Sequence, residues 1–234
     1  MAGLDFDRFD VLTFDCYGTL IDWEAGILVA LRAPLAAHGI AAPDDALLEA
    51  FARHEAELEA GPYRPYREVL GEVLEAMLGH FGQVATPEER VAFGGSVADW
   101  PAFADSRAAL ARLHERFKLG VITNCDDDLF AASEARLGVS FDWVVTAQQT
   151  RRYKPNPRGF ELMFERVGLP PTRILHVAQS LFHDHVPAKR LGLSTVWVDR
   201  RGGQPGSGAT PPATATPDLT VPDMATLAEL AVPE

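Results

Sequence analysis

After Trp100-Pro101 the sequence alternates between short β-prone segments and helical segments, and this alternation constrains the fold more than any other feature. Strands are predicted at residues 119–123, 143–146, 173–178 and 195–198, with a helical segment between each strand and the next. Such alternation is typical of a parallel sheet covered on both faces, because each parallel connection crosses over the sheet. The 47% of hydrophobic residues suffice for the core that such a sheet needs.

One β-prone run, Val11-Leu12-Thr13-Phe14, stands far from the others and is expected to join the same sheet. Four helices are predicted between this run and Trp100, because apolar residues recur there at intervals of three and four. Gly61-Pro62 ends one helix, and the capping box Thr86-Pro87-Glu88-Glu89 begins another. Residues 202–217, rich in Gly, Pro, Ala and Thr, are predicted to form a flexible surface loop before a final strand and helix in residues 218–232.

Together these patterns predict an α/β fold, a Rossmann-like parallel sheet with helices on both faces and an inserted α-helical domain. Because the first strand has no partner close to it in the sequence, the four helices are interpreted as an insertion between that strand and the rest of the sheet. Residues 1–20 and 99–234 are predicted to form the core, and residues 21–98 the helical cap.

The charge balance and the cysteine count exclude several classes of partner. With 21 Lys and Arg against 33 Asp and Glu, the net charge of −12 repels nucleic acids and anionic membrane surfaces. An anionic substrate must therefore be attracted locally, by a pocket with a few cationic or N–H groups. Cys16 and Cys125 are too few for a disulfide framework, and no Cys or His cluster indicates zinc. Residues 1–10 carry no apolar signal core and no segment approaches the roughly 18 apolar residues of a membrane span, so a cytoplasmic protein is expected.

Four polar clusters follow the predicted strands, where the carboxyl ends of parallel strands open into a crevice. They are Asp15, Thr123-Asn124, Lys154 and the segment from Gln179-Ser180 to Asp184. A lone Asp after a strand is often a turn or cap residue, so it is the convergence of all four clusters that indicates a site. A nucleophilic Asp needs a cation to keep it ionised, donors for the charge that develops, and a second carboxylate for water or for the cation.

These segments resemble, in order and spacing, the four motifs of the haloacid dehalogenase superfamily, and the resemblance covers essentially the whole chain. The matching segments are Phe14-Asp15-Cys16-Tyr17-Gly18-Thr19-Leu20, Thr123-Asn124, Tyr153-Lys154-Pro155 and the segment that ends in Asp184. The resemblance implies that Asp15 is the nucleophile, Lys154 the cation beside it and Asp184 the second carboxylate. Thr19 joins this catalytic set, and Thr123 is a binding hydroxyl. The remaining motif side chains are candidate substrate contacts: Cys16, Tyr17, Asn124, Gln179 and Ser180.

One position of the first motif separates two chemistries within the superfamily. Phosphatase members usually carry a second Asp two residues after the nucleophile, which protonates the leaving oxygen, and here that position is Tyr17. A departing halide needs no proton, so the Asp-x-Tyr-Gly-Thr form resembles the L-2-haloacid dehalogenase branch. The resemblance implies hydrolysis of a short 2-haloalkanoic acid, a small halogenated carboxylate that reacts with water. Neither a metal nor an organic cofactor is implied, because Gln179-Ser180 stands where phosphatases that use magnesium carry acidic residues.

The sequence departs from this branch at three positions. It also does not determine which arginine of the helical cap would contact the halide. Well-known members carry Ser-x-Asn where Gln179 and Leu181 stand here, and a Tyr where Phe160 stands. The arginine that cradles the halide matches Arg53, with Arg64 and Arg67 as competitors. Because Arg53 lies on a charged helix, it can also be interpreted as a solvent-exposed residue that forms ion pairs.

Simpler structural interpretations apply to several of these residues. Asn124 can cap the following helix as well as contact a halide. Tyr17 and Trp23 are either packing residues or the apolar wall that an alkyl halide requires. The two cysteines are also interpreted as small packing residues, and His176 and His183 as structural histidines.

Two other functions stay open. The first is a magnesium-dependent phosphatase of small phosphomonoesters, which Tyr17 and Gln179 disfavour. The second is a catalytically silent relative that acts as a binding protein, which the retained Asp15, Lys154 and Asp184 disfavour. The resemblance to the family also implies a homodimer.

Overall fold

The computed structural model describes residues 4–204 and 208–233, and its centre is a parallel six-stranded sheet in the order β3-β2-β1-β4-β5-β6. The strands are β1 (Val11–Phe14), β2 (Lys118–Thr123), β3 (Trp143–Thr146), β4 (Ile174–Ala178), β5 (Ser194–Val198) and β6 (Leu219–Val221). Leu12 of β1 lies beside Leu119 of β2 and Leu175 of β4. The prediction that the isolated first strand joins the later sheet is confirmed, and this strand occupies its middle.

Helices cover the sheet and fill the long connection from β1 to β2. The helices of that connection are α1 (Trp23–Ala37), α2 (Asp44–Glu59), α3 (Tyr66–His80) and α4 (Pro87–Gly95). Those that follow are α5 (Ser106–His114), α6 (Asp127–Leu137), α7 (Ala147–Thr150), α8 (Arg158–Val167), α9 (Val186–Arg190) and α10 (Met224–Ala231). The predicted α/β fold class is therefore confirmed.

The first and fourth helices both begin at a residue whose side chain caps the helix. The side chain of Asp22 accepts a hydrogen bond from the backbone N–H of Ala25 at 3.2 Å and so caps α1. At α4, Thr86 accepts from the N–H of Glu89 at 3.2 Å, and the Glu89 carboxylate accepts from the N–H of Thr86 at 2.8 Å. This is the predicted capping box, which satisfies two N–H groups that a helix start leaves free.

Two apolar layers hold the helices on the sheet, one on each face. Neighbouring residues of β1 serve different layers, because side chains alternate along a strand. Leu12 belongs to the larger layer, which runs into the helical insertion, whereas Val11 belongs to a smaller layer beneath α8 and α9. The central strand is thus buried from both sides, as a parallel sheet requires.

The segment predicted as a flexible surface loop is partly buried, which corrects that prediction for its described part. Ala209 and Thr210 are buried, and the N–H of Ala209 donates to the carboxylate of Glu24 at 2.9 Å. Residues 205–207 of the predicted loop lie outside the described residues. The final strand and helix, β6 and α10, are present as predicted. Within the described ranges, none of the helices combines the length and apolar character that crossing a membrane requires.

Candidate active site

The carboxylate of Asp15 lies at the carboxyl end of the central strand, in the crevice where the strand order reverses. The chain turns sharply after it, because Gly18 adopts a φ of 91° and the N–H of Leu20 bonds back to the carbonyl of Cys16 at 2.8 Å. This turn aims the Thr19 hydroxyl at the Asp15 carboxylate, to which it donates at 2.7 Å. Asp15 is only 6% exposed, so its oxygens are supplied almost wholly by protein donors.

A single ammonium group connects the two acidic residues of the site. The Nζ atom of Lys154 donates to Oδ1 of Asp15 and to Oδ1 of Asp184, both at 2.8 Å. Its third acceptor is the carbonyl of Ile122 at 2.9 Å, so all three N–H bonds of the ammonium are used. The structure therefore brings together the predicted nucleophile, the predicted cation and the predicted second carboxylate.

These three groups shift one another's ionisation. Burial alone would lower the pKa of Lys154, but the charges of Asp15 and Asp184 raise it, so the ammonium stays charged. Burial raises the pKa of Asp15, and Lys154 and Thr19 oppose this increase. Burial also works against the charge on Asp184, yet Lys154 and His176 hold the pKa of that carboxyl well below its usual range. The second carboxylate is thus the more firmly ionised of the pair.

Asp184 sits on a wide helical turn, Leu181–His185, in which hydrogen bonds span five residues. The Ser180 side chain caps this turn by accepting from the N–H of His183 at 2.9 Å. His176 lies 3.0 Å from Oδ1 of Asp184 through Nε2 and 2.9 Å from the Thr13 hydroxyl through Nδ1. With both ring nitrogens engaged and no exposure, His176 has the structural role that the sequence predicts. The other oxygen of Asp184, Oδ2, is buried and has no hydrogen-bond partner among the described residues.

Asn124 holds the backbone of Lys154 rather than capping the helix that follows it. Its Oδ1 accepts from the N–H of Lys154 at 2.7 Å, and its Nδ2 donates to the Lys154 carbonyl at 3.1 Å. The residue at the cap position of α6 is Asp126. Asn124 also lines the cavity beside Asp15.

The structure does not bring every predicted contact to this cavity. Of the predicted substrate contacts, Tyr17, Asn124 and Ser180 line it, whereas Cys16, Thr123 and Gln179 do not. Cys16 is fully buried in the apolar core. Gln179 instead supports the first motif, because its N–H donates to the Thr19 hydroxyl at 2.9 Å.

None of the three cap arginines lines the cavity. Arg53 is exposed on α2, two residues before the cavity-facing Glu55 and therefore about 200° around the helix from it. Arg64 pairs with Glu72. Arg67 pairs with Asp126 at 3.3 Å and with Asp128 at 2.6 Å.

The helices contribute acids to the cavity instead of an arginine. Glu55 and Glu59 of α2 line it together with Tyr66 of α3, whose hydroxyl donates to Oε1 of Glu55 at 2.6 Å. Sequence reasoning missed these residues, and it also missed Thr210, which comes from the partly buried loop. A usable signal exists for Glu55, because it stands on the apolar stripe of α2 and a carboxyl on such a stripe is rarely buried without a role.

The cavity is small and adjoins a larger one. Its volume is about 30 Å³, room for roughly two waters, and its wall comes from both the sheet and the helices. The lining residues are Asp15, Tyr17, Trp23, Glu55, Glu59, Tyr66, Asn124, Lys154, Ser180, His183, Asp184 and Thr210. A neighbouring open cavity of about 650 Å³ shares Glu59, Lys154 and His183 with it, so these three side chains stand between the two.

The donor set fits a magnesium ion poorly. Magnesium prefers several oxygen ligands, and the carboxylates that the sheet side of this cavity offers are Asp15 and Asp184. Both are bonded to Lys154, whose ammonium lies where a cation shared by the two would lie. No group of three or more His, Cys, Asp or Glu side chains that is arranged to hold a metal was found in residues 4–204 and 208–233.

Curated proteins and solved structures of known hydrolases are similar to this chain. An (S)-2-haloacid dehalogenase of Pseudomonas putida is 23% identical over 201 residues, 82% of this chain and 85% of the relative. A validoxylamine A 7'-phosphate phosphatase of Streptomyces hygroscopicus subsp. limoneus is 27% identical over 194 residues, 80% of this chain and 84% of the relative. The solved L-2-haloacid dehalogenase of Xanthobacter autotrophicus has the same fold, with a TM-score of 0.79 and 22% identity over 95% of this chain and 98% of that one.

A family model described as haloacid dehalogenase-like hydrolase matches residues 9–182, from just before β1 into the turn that carries Asp184. This match covers well over half of the chain and includes Asp15, Thr19, Asn124 and Lys154. The chain therefore belongs to the haloacid dehalogenase-like hydrolase family.

Proposed function

We propose that this hydrolase cleaves the carbon–halogen bond of short 2-haloalkanoic acids through an ester formed on Asp15. The observation that carries the proposal is the Lys154 ammonium, which bonds to Asp15 and Asp184 together. It holds a buried nucleophile ionised without a metal, which is what displacement of a halide requires.

The reaction divides into two steps at Asp15. In the first, a carboxylate oxygen of Asp15 forms a bond to the α-carbon, and the halide leaves with the electron pair of the carbon–halogen bond. The configuration of the α-carbon inverts, because the attack comes from the side opposite the halogen. In the second, water adds to the Asp15 carbonyl carbon and the bond from this carbon to the substrate oxygen breaks. One proton of the water passes to that oxygen, which gives the 2-hydroxy acid, and the other is released to solvent as the Asp15 carboxylate re-forms. Oδ2 of Asp184, buried and unpartnered within the described part of the chain, supports a role in positioning that water.

Tyr17 supports halide over phosphate as the leaving group. A phosphomonoester needs a general acid near the nucleophile, where many phosphatases carry an Asp. The Tyr17 hydroxyl lies 3.0 Å from the Ser133 hydroxyl and 3.3 Å from the Cys125 sulfur. Burial raises its pKa well above the ordinary value, so it is a poor proton donor.

We also propose that residues 21–98 act as a cap over a core of residues 1–20 and 99–234. The support is that α1, α2 and α3 supply Trp23, Glu55, Glu59 and Tyr66 to the cavity that holds Asp15. Because that cavity holds only about two waters' volume, the helices must move to admit a substrate. The homodimer and the cytoplasmic location expected from the sequence stay predictions.

Halide release in the presence of EDTA tests the function directly. Purified protein is incubated with EDTA and either chloroacetate or 2-chloropropionate, and in parallel with magnesium and a generic aryl phosphate. We expect halide from the first pair and no phosphate from the second. Phosphate release that depends on magnesium would replace dehalogenation with phosphatase activity, and silence in both assays would favour a binding protein.

A further inference from the structure

Two carboxyl groups of α2 lie in the wall of the cavity that holds Asp15 and Lys154. Glu55 and Glu59 are four residues apart, so they stand on the same face of the helix, one turn after the other. The mechanism above uses neither of them. Arg53, the arginine expected to contact the halide from this helix, does not line the cavity.

Glu59 is tied to the reaction centre through one side chain. Its Oε2 accepts from Nδ2 of Asn124 at 3.0 Å, and Asn124 in turn holds the backbone of Lys154 through two hydrogen bonds. Its Oε1 is buried without a hydrogen-bond partner in the described residues. Glu55 differs in this respect, because the Tyr66 hydroxyl fixes its Oε1 at 2.6 Å.

The charges around the cavity decide the protonation of these acids. Among the lining residues that the structure describes, the only Lys or Arg is Lys154, and Asp15 and Asp184 already use its ammonium. Glu59 also borders the larger cavity, which Arg151 and Arg152 line, but neither Glu55 nor Glu59 forms a salt bridge with a cation in the described part of the chain. A charge on either acid would be buried without a direct ion pair, which costs more than keeping a proton. Burial accordingly raises the pKa of Glu55 to about 8. Burial, with the neighbouring charge of Glu55, raises the pKa of Glu59 well above its usual range.

A protonated carboxyl carries an O–H donor that a carboxylate lacks. One oxygen of Glu59 already accepts from Asn124, so the proton belongs on Oε1, the oxygen without a partner. An O–H at that position has no acceptor in the described part of the protein, so the acceptor is a molecule in the cavity, either water or a group of the substrate. The negative charge that develops on a departing halide is such an acceptor.

We propose that Glu59, as a neutral carboxylic acid, donates a hydrogen bond to the halide that leaves when Asp15 attacks. This inference rests on the proposed dehalogenase function and replaces Arg53 as the halide-stabilising group of the cap. No proton is transferred, because the halide leaves as an anion and the proton stays on Glu59. Glu55 acts as a positioning residue, held by Tyr66 and packed one turn before Glu59.

The titratable groups that face Glu59 give the expected pH dependence. Glu55 faces it from the same helix and Tyr66 from α3, while Asp15, Lys154, His183 and Asp184 face it from the core. The charged and titratable groups on the side of the larger cavity are Tyr63, Arg151, Arg152 and Tyr153. Lys154 and Asp184 keep their charges across neutral pH, and burial lowers the pKa of His183 to about 4, so it stays neutral. Activity is therefore expected to fall at alkaline pH as Glu55 and Glu59 lose their protons.

Two substitutions separate a neutral donor from a charged group. Glu59→Gln keeps a neutral donor of the same length, whereas Glu59→Met keeps the length and removes the donor. We expect single-turnover ester formation within about fivefold of wild type for Gln and about a hundredfold slower for Met, the scale for losing one preorganised donor. The loss of activity at alkaline pH should be smaller in Glu59→Gln than in wild type. The same measurement on Glu55→Gln shows how much of this loss is caused by deprotonation of Glu55. Glu57, exposed on the same helix, supplies the matched control pair Glu57→Gln and Glu57→Met, for which no change is expected.

Bromide binding, measured by calorimetry on the same variants, gives a second measurement that does not depend on turnover. We expect bromide affinity to be retained in Glu59→Gln and reduced at least tenfold in Glu59→Met, with unchanged circular dichroism. If the bromide affinities of the variants follow this pattern but wild type releases no halide from any haloacid, the proposed dehalogenase function is wrong, whereas the role of Glu59 as a neutral hydrogen-bond donor to an anion is retained. If Gln is as damaging as Met, or if both variants match wild type, the neutral-donor role is overturned.

Discussion

Asp15 has one oxygen bonded to Lys154 and the other to Thr19, at 2.8 Å and 2.7 Å. Both bonds orient a carboxylate, and an amide of the same shape has no charge with which to attack. Asp15→Asn is therefore expected to lose turnover by at least about a thousandfold while keeping its fold. In wild type, a single turnover in heavy-oxygen water should place the label on the Asp15 side chain, as mass spectrometry of the peptide would show. Label that appears first in the product would mean that water attacks the substrate directly.

The ammonium of Lys154 keeps the Asp15 carboxylate ionised, so its removal should also reduce activity. Without its ammonium, burial and the charge of Asp184 both raise the pKa of Asp15, so this proposed nucleophile ionises only at higher pH. Lys154→Met is expected to cost about a hundredfold or more in kcat, and its residual rate should appear at higher pH than in wild type. A pH profile of kcat/KM from pH 5 to 10 checks this. A near-normal rate with an unshifted profile would remove Lys154 from the reaction.

At the scale of helices, the start of α1 packs more tightly against its neighbour than an alanine allows. A Cβ atom on Gly26 would lie 2.3 Å from Cγ of Trp100, whose ring is buried and stands edge-on to Tyr17 at 5.6 Å. Gly26→Ala is expected to lower the free energy of unfolding by about 1 to 3 kcal/mol and to disturb the Tyr17 wall of the cavity. Gly79 of α3 has no neighbour within 4 Å, so Gly79→Ala should raise stability by about 0.5 to 1 kcal/mol. Urea unfolding of both variants measures the contrast, and equal effects would contradict the packing argument.

The elements differ in how far the sequence predicts them. Apolar spacing locates α1 to α4 and the strands of the sheet, because an element that buries one face repeats its apolar residues at the period of its backbone. The same spacing says nothing about which polar residue of a helix turns inward. Glu55 follows Phe51 by one turn on the apolar stripe of α2, and only the packed structure shows that this stripe continues into a cavity.

The burial of Thr210, which lies in a loop, also could not be predicted from the local sequence. The Gly, Pro, Ala and Thr composition of residues 202–217 predicts an exposed connection, since such residues form little core of their own. In the structure the Thr210 hydroxyl donates to Oε1 of Gln179 at 3.2 Å, and Glu24 of α1 binds the backbone of Ala209. These contacts come from elements far away in the sequence, so local composition does not report them. The motifs that carry Asp15, Lys154 and Asp184 are predictable for the opposite reason, because each directly follows a strand or lies in a short loop.

For the whole molecule, the buried acids of the cavity couple folding to pH. Glu55 has a pKa of about 8 in the folded protein against an ordinary value of 4.5, because burial disfavours its charge. The folded state therefore holds a proton that the unfolded chain releases. The stability that this proton contributes is fully present below about pH 4.5 and is lost as the pH rises to about 8.

Glu55→Gln isolates this effect, because the amide is neutral at every pH and its oxygen can still accept from the Tyr66 hydroxyl. Near pH 4.5 the variant and the wild type should have similar free energies of unfolding. As the pH rises, the free energy of unfolding of the variant should exceed that of the wild type, by on the order of 4 kcal/mol at pH 7.5. Urea unfolding at intervals from pH 4.5 to 8.5 measures the difference, and the exposed Glu57→Gln supplies a control whose curve should run parallel to wild type. Parallel curves for Glu55→Gln as well would show that Glu55 is ionised in the folded protein, and the cavity would then hold a charge that only a cationic partner could balance.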